Sequence, residues 1–330
     1  MRLDYKRFSI AFIVLFGIMS VGAFCVNYYA DMYGLRDSHH KRLANLVSTK
    51  THLYKPRLEA KASYYTIGSS RFLRINISRL ADELHSHTIS SAISSITSAE
   101  ILFIAKQFKK NNVHLIVGLD AFSLNTQKMV QNNRFEEALH TNTLPYWTNL
   151  GDFLILIKEK ITDFVFQRNT NYAFEQENKQ IAPDFTFEKL EQTYFGTPPQ
   201  KNYLHYFNYT IDLDEITELA KIVDSKDIFI IFPKHAMHYE LFEKYGIKEQ
   251  YFKAIETLVK NTKARVISFY GVNEITSQKD NFDTLGWHFK PKIGGLILDR
   301  IFQKGDYLNL PNNFGVELNA SNIDSYLQAL

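Results

Sequence analysis

One cysteine, Cys25, is all that the 330 residues hold. A disulfide within the chain is therefore excluded, and its fold must rest on an apolar core. Only 14 glycines and 8 prolines are present, which excludes a fibrous or low-complexity chain. The formal net charge is +3 and the basic residues are dispersed. Neither the size nor the pattern of that charge is the electrostatic footprint of a nucleic-acid binder. The chain has no internal repeat, so a solenoid or propeller is not expected. His235 and His238 could form a metal pair, but no third ligand stands at a suitable spacing. Neither a metal nor another cofactor is implied.

What is present is ordinary globular composition, 45% hydrophobic and 22% charged, with 26 Phe and 19 Tyr. Most of these aromatic residues are expected in the core, and a few are suited to a carbohydrate groove. The N-terminus is different. Phe8 to Val26 carries no charge and is long enough to cross a hydrocarbon layer as a helix. Arg2, Lys6 and Arg7 precede it and Asp31 follows it, so the positive-inside rule keeps the N-terminus cytoplasmic and exports the remainder. A cleaved signal peptide ending near Val21-Gly22-Ala23 is the alternative. The expected division is a cytoplasmic tail (1–7), a transmembrane helix (8–26), a polar, basic stalk (27–60) and a domain (61–330). An irregular insertion at about 121–210 is expected at the rim of that domain. The membrane itself is then one partner, contacted through residues 8–26.

Within the domain, apolar runs alternate with helical periodicity. Tyr64–Ile67, Val113–Gly118, Ile228–Phe232 and Arg265–Tyr270 read as strands. Helices are expected over Ser98–Lys110, from Asp212 to about Val223, over about 239–261, and over Pro291–Phe302. This alternation implies an α/β sandwich of three layers with a mainly parallel central sheet. Ligands in such folds bind beyond the carboxyl ends of the strands. That rule directs attention to Ser70, Asp120, His235, His238 and Asn273.

The first strand runs into Gly68-Ser69-Ser70-Arg71. A strand ending in Gly-x-Ser fixes a serine at a sharp turn, and the helical turn after it offers free N–H groups to a developing oxyanion. The plainer reading is a tight turn rich in small residues. His288 lies near the other end of the domain and supplies a candidate base.

The order of four stretches resembles the SGNH/GDSL hydrolase-like superfamily, and in particular its membrane-anchored members associated with bacterial cell-surface polysaccharides. Tyr65-Thr66-Ile67-Gly68-Ser69-Ser70-Arg71 resembles the nucleophile block, and Ala92-Ile93-Ser94-Ser95 the second block. Val117-Gly118-Leu119-Asp120 resembles the third, and Asn281-Phe282-Asp283 through His288-Phe289-Lys290 the histidine block. The resemblance implies a flavodoxin-like fold, Ser70 as nucleophile and His288 as base. The family places its acid three residues before the histidine, where this chain has Leu285. Asp283, five before, is the nearest acid and would need a bulged loop to take that role. Ser95 stands where the family has an oxyanion-hole glycine, and Asp120 where it has asparagine.

Arg71 and Arg74 are candidate contacts to an anion or sugar, or else lie on a solvated helix face. His235 and His238 are candidate substrate contacts. The implied activity is acyl transfer or deacylation of an acetyl ester on a surface polysaccharide or peptidoglycan, with a membrane-bound acyl-donor partner. A non-catalytic glycan-binding or scaffold relative is the alternative. The implied location is the bacterial inner membrane, crossed once, with the domain periplasmic or extracellular.

Overall fold

The computed structural model describes residues 5–29, 31, 35–36, 54–126, 134–140, 148–166, 178–179, 185–196 and 209–330. Its elements follow the chain. Helix α1 (Tyr5–Tyr29) and α2 (Tyr54–Glu59) precede β1 (Tyr64–Ile67), α3 (Ile77–Leu84), β2 (Thr88–Ser90), α4 (Ser98–Lys109) and β3 (His114–Leu119). Three helices follow, α5 (Arg134–His140), α6 (Leu150–Phe166) and α7 (Phe187–Phe195). The chain then forms α8 (Leu213–Ile222), β4 (Ile228–Ile231), α9 (Ala236–Lys244), α10 (Ile247–Asn261) and β5 (Arg265–Ser268), and ends with α11 (Pro291–Phe302), β6 (Val316–Leu318) and α12 (Ile323–Gln328).

The strands form one six-stranded sheet in the order β2-β1-β3-β4-β5-β6. Every pairing is parallel except β5 with β6, which sets Val266 opposite Leu318. The fold is therefore α/β with a mixed, mostly parallel sheet. Side chains alternate between two cores, as the period of a strand requires. Leu115, Val117, Phe229 and Ile231 join a cluster with Ile101 of α4, Ile216 of α8 and Ile255 of α10. Ile116, Ile228, Ile230 and Ile267 join the other, with Phe72, Leu80 of α3 and Ile293 and Ile297 of α11. Burying each such side chain contributes about 1.5–3 kcal/mol.

Local signals set the helix boundaries. Thr97 and Glu100 form a reciprocal capping box at the start of α4. The Asp212 carboxylate accepts from Asp214 N and Glu215 N at the start of α8. The helix expected over about 239–261 is two helices. Gly246 adopts φ +67 between them, and α9 begins earlier, with His235 as its N-cap. Apolar periodicity continues through that joint, so the break is visible only at the glycine.

Helix α1 is long and apolar enough to cross a membrane. The segment 27–60 expected as a stalk contributes its last turn to the packed body. Tyr54 and Arg57 of α2 are buried, and the Tyr54 ring meets Phe108 and Phe135 edge-on. Lys41, Arg42 and Lys50 lie outside the described residues. Of the expected insertion, Ala121 to Asn125 are buried just past the carboxyl end of β3, and α5, α6 and α7 are helical. Thr197, Pro198 and Pro199, which read as a turn in the sequence, lie outside the described residues.

Candidate active site

Strand β1 delivers the serine. Gly68 follows it at φ +156, and a Cβ there would come within 2.8 Å of Gly118 O and of the Phe72 ring. Only glycine permits both the backbone angle and the approach. Ser69 then caps a 3₁₀ turn, Ser70–Arg74, and its hydroxyl donates to Asp120 Oδ2 at 2.8 Å. Ser70 is the first residue of that turn, so its N–H has no acceptor within the turn. It is half-buried while Ser69 and Arg71 on either side are buried.

The histidine arrives on a tight hairpin. Phe282 and Phe289 form an antiparallel bridge, and Lys290 N donates to Asn281 O at 2.8 Å. Between them Leu285 and Gly286 both adopt left-handed angles, φ 66 and φ 61. That bulge lets Asp283 face His288 across five residues. His288 N donates to Asp283 Oδ1 at 2.9 Å, and His288 Nδ1 lies 2.7 Å from Asp283 Oδ2. His288 Nε2 lies 2.7 Å from Ser70 Oγ. An ionised carboxylate only accepts, so Nδ1 carries the proton and Nε2 is left to accept from the serine. The structure thus brings Ser70, His288 and Asp283 into one hydrogen-bonded line. Burial pushes the His288 imidazolium below its ordinary value; Asp283 opposes that shift, while the Arg71 and Arg74 charges add to it.

Asp120 does not face that line. Its Oδ2 pairs with Arg71 Nη1 at 2.8 Å, and its Oδ1 accepts from Phe122 N and Ser123 N. Both side chains of the ion pair are fully buried. Arg71, expected as a substrate contact or on a solvated face, is neither. Its Nη2 donates to Trp287 O at 2.9 Å and its guanidinium lies over the Trp287 ring. The Ser70–Arg74 turn and the histidine hairpin are tied together through this arginine. Arg74 is partly buried at the end of the same turn, close enough to act on His288.

Ser95 adopts φ 59, a left-handed angle that glycine would take more easily. Its loop is aligned on β1 and the glycine that follows it, since Ser91 N donates to Thr66 O and Ile93 N to Gly68 O. His235 and His238, expected as substrate contacts, are buried. His235 Nδ1 accepts from Met237 N, which is the capping contact of α9. His238 Nε2 meets Leu285 O at 2.9 Å and so holds the bulge of the histidine hairpin. Burial, with the Lys234 charge beside it, pushes the His238 imidazolium well down and keeps the ring neutral. Asn273 caps a turn, accepting from Ile275 N and Thr276 N.

Two residues of this region were not anticipated. Trp287 stacks on Tyr194 and meets Phe122 edge-on. Lys234 is buried with Nζ 3.8 Å from the centre of the Trp287 ring. Burial, with the neighbouring Arg71 charge, pushes its ammonium well below the usual lysine range. Lys234 sits three residues after β4, at the edge already marked for inspection, and that position was its only signal in the sequence.

Among the described residues, His114, Asp224 and Asp227 have the spacing of a metal cluster. They lie at the amino ends of β3 and β4, away from Ser70. Lys109 Nζ sits 2.7 Å from Asp224 and 2.8 Å from Asp227, so a lysine already supplies the cation.

Comparison with protein-family models, with curated proteins and with solved structures finds no match to this chain.

Proposed function

We propose that the chain is a membrane-anchored, extracytoplasmic serine acyl enzyme of SGNH type, built as a three-layer sandwich. It acts on acetyl esters of a cell-envelope glycan. The observation that carries this reading is the line Ser70–His288–Asp283, with 2.7 Å at each link. Ser70 Oγ attacks the acyl carbonyl and passes its proton to His288 Nε2. Asp283 holds the imidazole in the required tautomer and stabilises the imidazolium that forms. The C–O bond to the departing alcohol breaks, and His288 returns the proton to that alcohol. An acceptor hydroxyl then loses its proton to His288 and takes the acyl group from Ser70. A sugar acceptor makes the reaction a transfer; water makes it a hydrolysis.

The backbone N–H groups of Ser70 and Ser95 are assigned to the oxyanion. Asp120 takes no part in that hole. Its charge would repel an oxyanion if free, but Arg71 neutralises it at 2.8 Å. The departure that would favour a binding-only relative therefore has a structural explanation. The membrane helix, with Lys6 and Arg7 on its amino side, supports an inner-membrane location with the domain outside the cytoplasm.

Acetyl release from a chromogenic ester by the full chain in detergent tests the reading. Activity abolished by Ser70→Ala and by His288→Ala supports it. Activity that survives both substitutions contradicts it.

A further inference from the structure

Helix α6 presents an exposed apolar face, which is unusual for a helix in an aqueous domain. Leu154, Ile157, Ile161, Phe164 and Val165 recur at the spacing of a single helix face, and all five are exposed; Phe164 is 86% exposed. Such a stripe is wider than the scattered apolar residues of a normal surface.

Its neighbour indicates what covers it. Helix α6 packs against α1, the helix long and apolar enough to cross a membrane. Asn27 Nδ2 donates to Asn149 O at 3.2 Å, and Ala23 and Asn27 are the buried residues of α1. The contact therefore falls at the carboxyl end of the apolar run, not at its middle. Tyr28 and Tyr29 stand at the same level, where aromatic residues favour the boundary between hydrocarbon and water. Packed helices lie about 8–10 Å apart, so α6 sits at that boundary whenever α1 is inserted. With 17 residues and exposed Lys158 in its middle, α6 is too short and too polar to span. Lys158 flanks the apolar stripe, where its stem can lie along lipid and its ammonium can reach the head groups.

We propose that Leu150–Phe166 is an interfacial membrane helix that lays its Leu154–Ile161–Phe164 face into the outer lipid leaflet beside α1. The inference rests on reading α1 as a membrane anchor. Two attachments in place of one restrict rotation of the domain about its anchor and fix which side of it meets the bilayer.

Spin labels on the full-length chain test this directly. In a Cys25→Ser background, nitroxides are placed by Ile161→Cys, Phe164→Cys, Ile13→Cys and Glu249→Cys, one at a time. Each protein is reconstituted in vesicles of phosphatidylethanolamine and phosphatidylglycerol. Collisions with oxygen report lipid, and collisions with a water-soluble nickel chelate report water. The expected result is oxygen in excess at positions 13, 161 and 164, and the reverse at 249. Oxygen in excess at 13 with nickel in excess at 161 and 164 overturns the proposal while leaving the anchor standing. Shielding of 161 and 164 from both agents, with dipolar broadening, also overturns it, because a second copy then covers the face. Nickel in excess at 13 as well removes the anchor reading and the proposal together.

Discussion

Asp283 Oδ2 and His288 Nδ1 meet at 2.7 Å because Leu285, between them, is held in a left-handed conformation. That backbone angle costs a non-glycine residue about 1–3 kcal/mol. It is held by its neighbours: His238 Nε2 engages the Leu285 carbonyl, and the Phe282–Phe289 bridge closes the hairpin below. Strain at this position sets the Asp283 carboxylate within hydrogen-bond distance of His288.

Asp283→Asn leaves the hairpin's shape nearly intact but lets the imidazole take the wrong tautomer. We expect kcat to fall about 10,000-fold with little change in KM. Steady-state kinetics on an acetyl ester, with circular dichroism to check folding, measure both. A loss below tenfold would mean that Asp283 does not orient the base.

The proposed mechanism requires neutral His288, and burial pushes its imidazolium below the ordinary histidine value. The rate should therefore rise with pH through an acid limb that lies below the ordinary histidine range, and then level off. Arg74→Gln removes a positive charge that disfavours the imidazolium. The imidazolium then persists to higher pH, and the acid limb moves upward. The pH profile of kcat/KM for the two proteins reads that shift; an unmoved or lowered limb would contradict the assigned electrostatics.

The buried Arg71–Asp120 pair ties two loops, so losing one partner leaves an uncompensated charge in the core. Asp120→Ala is expected to cost about 3–5 kcal/mol in urea unfolding. Changing both partners to apolar residues, Arg71→Met with Asp120→Leu, should restore much of that loss. A single substitution costing under about 1 kcal/mol would show that the pair is not closed as described.

His238 is kept neutral in the fold, whereas in the unfolded chain it titrates near 6.5. Below that pH the unfolded state binds the extra proton, so stability falls as pH falls. The contribution approaches about 1.4 kcal/mol per pH unit. Thermal unfolding from pH 8 to pH 5 should show a shallower acid decline for His238→Gln than for the parent chain. Equal slopes would contradict burial of a neutral ring.

Much of the sheet was legible because its strands are short apolar runs that end in small or polar residues. Tyr64–Ile67 and Ile228–Ile231 lie where periodicity puts them, and the Asp212 cap marks its helix correctly. Strand β6 was missed: Val316–Leu318 is an edge of three residues whose pairing partner is far away in the chain. At the site, Ser70 and His288 were visible as motif residues. Asp283 was named as the nearest acid on condition of a bulged loop, and that bulge was not legible because it depends on a left-handed angle at a leucine. The burial of Arg71 was also hidden, since its counter-charge, Asp120, lies just past the end of another strand. Nor does anything near His238 in the sequence show that it supports a hairpin elsewhere.

The central claim is that Ser70 is an activated nucleophile, and covalent labelling tests it most directly. The full chain in detergent would be treated with a fluorophosphonate and its peptides mapped by mass spectrometry. The account predicts one adduct, on Ser70, lost in His288→Ala while the protein remains folded. An unlabelled Ser70, or labelling that does not depend on His288, would contradict it.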